Sequence, residues 1–269
     1  NRQIIKSDLI PHFWRAPLDN DLGNQMHIRT TMWKNIGKEL TVQYFQRSLA
    51  NNVANIKVIT EHKITGSRIT MTYRIHGNGL IDIQQQLKTG NKKLPEIPRF
   101  GMKMTLPKDF NRLTWYGRGP HESYWDRKTS TSVKVFSGSV WDQTYPYVRP
   151  QETGNKTDIR WMALDNGTIG LLAIGQPTFD GSVHQYPYSD LHFVPAGRRH
   201  GKLDLQQKNQ VDWLIDYRQT GVGGDNSWGA RPHLKYTLSG NSISYDYHFY
   251  LRPFVKDDDL MTLSKLKIK

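Results

Sequence analysis

Hydrophobic and polar residues alternate with a period of two along much of this chain. Between residues 68 and 75 every second side chain is apolar, and the side chains between them are arginine or threonine. The segments 211–215 and 242–251 show the same periodicity. A strand with one face in the core and one in solvent has this period. The pattern therefore predicts β-strands over all three segments, each with one buried face.

Turn signals separate these runs. The sequences His-Gly-Asn-Gly at 76–79, Asp-Asn-Gly at 165–167 and Ser-Gly-Asn at 239–241 are typical of tight hairpins with positive φ angles. More than ten short strands at this spacing predict an all-β fold, a large antiparallel sandwich or barrel. Helix signals are confined to about residues 26–38. No internal repeat or linker interrupts the chain, which favours a single domain over 1–269.

Composition removes several classes of function. The 269 residues include no cysteine, which excludes thiol chemistry, disulfides and cysteine metal sites. No apolar run reaches the roughly 18 residues of a membrane helix, so no membrane partner is expected. The net charge is +13, but lysine and arginine are spread along the chain instead of forming one basic stripe. We therefore expect no nucleic-acid partner. Both the cytoplasm and the periplasm stay open as locations.

One glycine-rich loop, Gly221–Gly229, carries a single large side chain. It holds four glycines, the small polar residues Asp225, Asn226 and Ser227, and then Trp228. Glycine allows tight turns with positive φ. From these residues alone two interpretations stay open. Trp228 is either held outward, where its ring can lie against a sugar, or folds back onto the core.

The segment Asp19-Asn20-Asp21-Leu22-Gly23 resembles the beginning of a calcium-binding loop. In an EF-hand the glycine stands at the sixth position and a glutamate at the twelfth. Here the glycine comes one position early and Thr30 occupies the twelfth. We therefore expect a turn stabilised by Asp and Asn side chains, and no metal site.

A dense polar and aromatic segment covers residues 115–127. His121, Glu122 and Asp126 are candidates for acid or base catalysis there. The alternative is a glycine-proline corner whose arginine and glutamate join loops through charge-assisted hydrogen bonds.

A second dense segment covers residues 145–161. Arg149, Glu152, Asp158 and Arg160 could form a cluster for sugar hydroxyls or a buried polar network. Retaining glycoside hydrolysis needs two carboxyl groups about 5.5 Å apart. No aspartate or glutamate of this chain stands in a context that identifies it as one of such a pair.

Taken in order, five segments resemble the last domain of the large bacterial β-galactosidases of glycoside hydrolase family two. These segments are 13–23, 115–127, 147–161, 221–228 and 247–253. The resemblance covers nearly the whole chain. It implies a large antiparallel β-sandwich of the galactose-mutarotase-like type, called a supersandwich. It also implies that this chain is the C-terminal part of a longer β-galactosidase.

The resemblance further implies how the chemistry is divided. The parent would hydrolyse terminal β-D-galactosides with retention, and both catalytic glutamates would lie on a preceding barrel domain, so this chain would hold no catalytic residue. Trp228 would reach the active site and stack on sugar, with Asp225, Asn226 and Ser227 as further substrate-binding residues. No metal or cofactor is expected in this domain, although Mg²⁺ or Na⁺ could bind elsewhere in the parent. The expected partners are a galactoside, the barrel domain and further copies in a homo-oligomer.

The other matching residues are interpreted as framework. Arg15, Asp19 and Asp21 would structure the start of the domain. The remaining framework residues would be Glu122, Arg127, Glu152 and Arg160.

Three alternatives make different predictions for the chain by itself. A stand-alone galactoside-binding module would bind galactose or lactose. An aldose epimerase would accelerate mutarotation, using His121 or His184 with Glu122 or Glu152. A domain that serves only structure and oligomer contacts would do neither.

Overall fold

Antiparallel strands dominate the computed structural model, which describes residues 4–90, 93–192, 204–241 and 243–265. Twelve strands in these ranges form one hydrogen-bonded network. They are β1 (Ser7–His12), β2 (Leu40–Ala50), β3 (Val53–His62), β4 (Ser67–His76), β5 (Ile81–Lys88), β6 (Arg99–Leu106), β7 (Arg112–Gly119), β8 (Ser132–Ser139), β9 (Lys156–Asp165), β10 (Ile169–His184), β11 (Val211–Gln219) and β12 (Ser244–Val255).

The long strand β10 joins the parts of the sheet. Its first half pairs with β12, with Ala173 opposite Leu251, and its second half pairs with β11, with Gly181 opposite Ile215. Along its other edge it pairs with β9, which continues to β7 and β8. The main path runs β1-β6-β11-β10-β12-β5-β4-β3-β2. The pairings are antiparallel throughout, which confirms the predicted all-β antiparallel fold.

Two of the three predicted strands bury their apolar side chains as expected. In β4, Ile69 and Met71 are buried, while Arg68 is exposed. In β12, Phe249 and Leu251 are buried in the same large core cluster. Residue 242, at the start of the predicted segment, lies outside the described residues. Alternation was a sufficient signal in these strands because each has one face toward solvent.

Strand β11 departs from the prediction, because it is buried on both faces. Trp213 and Ile215 enter the main core, and Asp212, Leu214 and Asp216 on the opposite face are also fully buried. This second face is covered by a separate cluster that contains Leu214 and the rings of two tyrosines. The expectation of one solvent face was wrong here because another layer of the chain packs over the sheet.

Two of the three predicted turns are confirmed. The segment 76–79 connects β4 to β5, and Gly79 has a φ of +82°. The segment 165–167 connects β9 to β10, and Gly167 has a φ of +85°.

The third predicted turn, 239–241, was wrong as a hairpin. It precedes β12, which pairs with β5 and β10 and not with the preceding segment. A Cβ at Gly240 would lie 2.1 Å from the carbonyl oxygen of Pro95, and Leu94 N donates to Asn241 Oδ1 at 2.8 Å. Glycine is therefore needed at position 240 because the backbone of Pro95 comes so close, and not because the residue has a positive φ.

Short helices fill some of the connections. The predicted helical region contains α2 (Met26–Arg29) and two single 3-10 turns, 31–33 and 36–38. Two further helices were not predicted: α1 (Asp19–Gly23) and α3 (Leu260–Ser264). None of the helices in the described ranges has the length and apolar character needed to cross a membrane.

Candidate functional site

The glycine-rich loop follows β11 and carries the most exposed large aromatic ring in the described ranges. Trp228 is 90% exposed, so its ring does not pack on the core. Asp225, Asn226 and Ser227 beside it are exposed as well. These four side chains form the tip of the loop.

Contacts within the loop give it a defined shape. Trp228 N donates to Asn226 Oδ1 at 2.9 Å, a side-chain turn that orients the tryptophan backbone. Asp225 Oδ1 lies 2.7 Å from His233 Nε2. Gly229 has a φ of +100°, and a Cβ there would lie 2.6 Å from the carbonyl carbon of Gly23. Only glycine fits at that point.

Arg15 anchors the beginning of the loop. Its buried guanidinium donates to both carboxylate oxygens of Asp21, at 2.8 and 2.7 Å. Its other terminal nitrogen donates to the carbonyl oxygens of Gly221, at 3.0 Å, and Thr220. Burial raises the pKa of the Asp21 carboxyl, and Arg15 opposes that shift. The pair thus acts as structural support, as predicted, and its target is the loop backbone.

Asp126 anchors the next residues. Its carboxylate accepts hydrogen bonds from Val222 N at 3.0 Å and Gly223 N at 2.8 Å. Gly221 N in turn donates to the carbonyl oxygen of Tyr236 at 2.7 Å. Asp126 was considered as a catalytic acid or base, but both of its oxygens are bonded to loop amides.

Asn20 anchors the end of the loop. Gly229 N donates to Asn20 Oδ1 at 2.9 Å, and Asn20 Nδ2 donates to the carbonyl oxygen of Ala230 at 2.8 Å. One side-chain amide therefore holds the backbone directly after Trp228.

Two distant motifs thus contact this loop: the segment 13–23 through Arg15 and Asn20, and the segment 115–127 through Asp126. Sequence reasoning missed Asn20 and Asp126 as loop anchors and missed His233 as the partner of Asp225. The only available signal was that the motifs of the resemblance occur together.

Glu122 belongs to the framework in the structure. It accepts from Gly154 N at 2.8 Å, from Arg127 Nη2 at 2.6 Å and from the Tyr147 hydroxyl. This is the corner predicted as the alternative to catalysis. His121, next to it, is exposed.

Glu152 and His184 are fully buried. Glu152 Oε1 lies 2.9 Å from Arg99 Nη2, and Arg99 is also 3.5 Å from Asp216. His184 Nε2 lies 3.0 Å from Ser182 Oγ. Burial and the nearby Arg99 lower the pKa of His184 to about 3, so this imidazole is neutral. A sugar cannot reach either group, which removes them as an epimerase pair.

The proposed sugar-hydroxyl cluster does not form. Arg149 pairs with Asp19, whereas Asp158 pairs with Arg118 and with Lys128. Arg160 Nη1 donates to the backbone oxygen of Asp158 at 2.6 Å. Together with buried Glu152, these contacts correspond to the alternative, a polar network.

The calcium-like segment is occupied by protein partners. Asp19 contacts Arg149 and Gln151, and Asp21 contacts Arg15. In the part of the chain that the structure describes, no three carboxylate or histidine side chains are grouped so as to hold a metal ion.

Comparison with known proteins identifies the family. The family model of the β-galactosidase small chain matches residues 1–251. This chain belongs to the β-galactosidase small-chain family. The predicted resemblance is therefore confirmed.

Curated relatives of this small-chain member are β-galactosidases. One from Priestia megaterium is 38% identical over 254 residues, covering 93% of this chain and 24% of the relative. One from Lactobacillus delbrueckii subsp. bulgaricus is 31% identical, covering 84% of this chain and 22% of the relative. The chain thus spans about a quarter of the length of these relatives.

Solved structures similar to this small-chain member include a galactose 1-epimerase from Lactobacillus acidophilus. The match has a TM-score of 0.43 and 7% sequence identity, and it covers 78% of this chain and 66% of the epimerase chain. A galactose mutarotase-like protein from Clostridium acetobutylicum matches with a TM-score of 0.43 and 10% sequence identity. That match covers 80% of this chain and 66% of the mutarotase-like chain.

Proposed function

We propose that this chain is the C-terminal domain of a β-galactosidase that hydrolyses terminal β-D-galactosides with retention. Its family membership supports the activity, since the relatives named above are β-galactosidases about four times as long. The observation that carries the domain's role is the exposed Trp228 on a loop anchored at both ends. Exposing an apolar ring to water costs free energy. A ring that is held outward by an anchored loop is therefore expected to contact a ligand or another domain.

Trp228 would stack on the C–H face of a sugar in the active site. Removing apolar surface from water contributes about 25 cal/mol per Å². The fixed loop adds to this, because little conformational freedom is lost when the sugar binds. Asn226 and Ser227 at the tip offer an amide and a hydroxyl for sugar oxygens. Asp225, held by His233, would set the position of that tip.

The catalytic acid/base and nucleophile would lie outside this chain, on the barrel domain of the parent. The carboxylates in the matching motifs already have structural partners: Arg127 pairs with Glu122, and Arg99 pairs with Glu152. A retaining hydrolase needs two free carboxyl groups facing one sugar. The proposed partners are accordingly a galactoside, that barrel and further copies of the enzyme, and any Mg²⁺ or Na⁺ would bind other domains.

The stereochemical course of the reaction tests this assignment. The assembled enzyme that contains this chain is incubated with an aryl β-galactoside, and the first galactose released is followed by proton NMR before it mutarotates. We expect β-galactose first. Initial release of α-galactose would contradict retention, and absence of galactoside hydrolysis would contradict the proposed activity.

A further inference from the structure

Lys156, the first residue of β9, is a buried lysine whose charge has no anionic partner at contact distance. The residue is 2% exposed, and its Nζ lies 5.2 Å from the centre of the Trp115 ring. Among the described residues, no oxygen accepts a hydrogen bond from this Nζ and no carboxylate lies within 4.0 Å of it. Burial lowers the pKa of Lys156 to about 8, and the nearby Glu122 opposes that shift. The Trp115 ring gives this ammonium a cation–π contact but no hydrogen-bond acceptor. A buried ammonium normally has such acceptors, so the N–H donors of Lys156 are left to be satisfied from outside the protein.

The Lys156 side chain lines a pocket of about 220 Å³. Glu122, Asp142, Gln143 and Tyr145 contribute to the same pocket. Glu122 is already occupied by the contacts described above. None of the residues of the loop Gly221–Gly229 lines this pocket, so it is separate from the Trp228 tip.

The other lining groups indicate the chemistry of a ligand. Two carboxylates, those of Glu122 and Asp142, would repel a phosphate or a carboxylate. A neutral ligand with several hydroxyl groups avoids this repulsion, because a hydroxyl can accept from an ammonium and donate to a carboxylate. Tyr145, 57% exposed, provides a flat apolar surface beside these polar groups. This combination of hydrogen-bonding groups and an aromatic ring is suited to a saccharide.

We propose that this pocket, the Lys156 pocket, binds one sugar unit, with the Lys156 ammonium donating to its hydroxyl oxygens and Asp142 accepting from them. The pocket would be a second saccharide site, independent of the site to which Trp228 is assigned. No covalent step is involved.

Chemical footprinting of Lys156 tests the proposal at a single residue. The assembled enzyme is methylated reductively with formaldehyde and borohydride at pH 8, with increasing methyl α-D-galactopyranoside, and each lysine is followed by peptide mass spectrometry. This galactoside has no free aldehyde to react with lysine or borohydride, and its α-linkage is not the one that a β-galactosidase cleaves. We expect Lys156 to be methylated and the galactoside to slow that reaction by the factor 1 + [L]/Kd that a bound ligand imposes. Lys128, which is paired with Asp158 and does not line the pocket, is the internal control.

Two variants make the result specific. Asp142→Asn and Tyr145→Ala, both at exposed positions, should leave the fold intact and weaken the protection of Lys156 several-fold. Unchanged methylation in saturating methyl α-D-galactopyranoside would overturn the proposal. So would a Lys156 that is never methylated while Lys128 is, because the amine would then be closed to the pocket. Protection by inorganic phosphate and not by the galactoside would also overturn it, in favour of an anion site.

Discussion

Asn20 and Gly229 are 209 residues apart in the sequence and are joined by a hydrogen bond of 2.9 Å from Gly229 N to Asn20 Oδ1. The same side chain donates to Ala230 O, so it holds both residues that follow Trp228. A residue near the start of the chain therefore helps to fix the position of the exposed Trp228 ring. The loop is therefore held in a defined conformation by hydrogen bonds to the rest of the domain.

Replacing Asn20 with alanine should release the end of the loop. Each lost hydrogen bond is worth about 1 kcal/mol, so we expect kcat/KM for an aryl β-galactoside to fall roughly fivefold or more. Steady-state kinetics of the assembled enzyme measure this effect. Asn55→Ala on β3 is the matched control, because Asn55 Nδ2 donates only to Val53 O, two residues away. Equal kinetics for the two variants would show that the loop does not need the Asn20 anchor.

Replacing Asp126 with asparagine should loosen the first half of the loop. The two carboxylate oxygens each accept one amide, from Val222 and Gly223, and asparagine has only one oxygen to offer. We expect faster hydrogen exchange at one or both of these amides, measured by mass spectrometry or NMR.

The control for Asp126 is Asp246→Asn on β12, where the carboxylate accepts only from glutamine side chains. It removes the same charge without touching the loop. If exchange at residues 222 and 223 is no faster in the Asp126 variant than in this control, the carboxylate is not an anchor.

Local sequence pattern was enough for the strands with one solvent face. The alternation of Ile69 and Met71 with polar neighbours located β4, and Gly167 located the turn after β9. Both signals act over two to four residues. The second buried face of β11 could not be predicted from its own pattern, because the side chains that cover Leu214 come from other segments. They are Ala16, Tyr186, Tyr188, Leu191 and Leu205.

The support of the candidate site could not be predicted from sequence for the same reason. Asn20 looked like part of a calcium-type turn and Asp126 like a catalytic carboxylate, since their partners are 209 and 97 residues away. Nothing local distinguishes a carboxylate that binds backbone amides from one that moves protons. Lys156 gave no signal either, because its burial depends on the corner formed by the segment around Glu122.

Arg99 should be essential for stability. Its buried guanidinium faces Glu152 at 2.9 Å and Asp216 at 3.5 Å, and both carboxylates are fully buried. Arg99→Met leaves two buried carboxyl groups without their cation, and breaking a buried ion pair in this way typically costs about 3–5 kcal/mol. Urea unfolding measures the change in the free energy of unfolding.

The matched control for Arg99 is Arg112→Met, which breaks the surface pair of the exposed Arg112 with the partly exposed Asp165 at 3.3 Å. Such pairs contribute about 0–1 kcal/mol. Similar losses for both variants would show that the buried triad adds nothing beyond a surface ion pair.

Asp180 should make stability depend on pH. Burial raises the pKa of its carboxyl from 3.8 to about 7. Between these values the folded state binds a proton that the unfolded state has lost, so this group's contribution to stability is full below pH 3.8 and is lost as the pH rises through 7. Asparagine does not titrate, so the stability of Asp180→Asn relative to the wild type (its free energy of unfolding minus that of the wild type) should increase as the pH rises across this window.

Urea unfolding at several pH values compares Asp180→Asn with Asp8→Asn, at an exposed position. The control variant should follow the wild type at every pH. A constant difference between Asp180→Asn and the wild type across the window would contradict a raised pKa in the folded state.

The role of Trp228 is tested most directly by kcat/KM for an aryl β-galactoside in the assembled enzyme, comparing the wild type with Trp228→Ala. Leu234→Ala, at an apolar position that is 88% exposed, is the control for losing surface hydrophobicity. We predict at least a tenfold loss for Trp228→Ala, about 1.4 kcal/mol of transition-state stabilisation, with an unchanged melting temperature and an unaffected control. An unchanged kcat/KM would contradict the assignment of this loop to the sugar site and leave the domain a structural one.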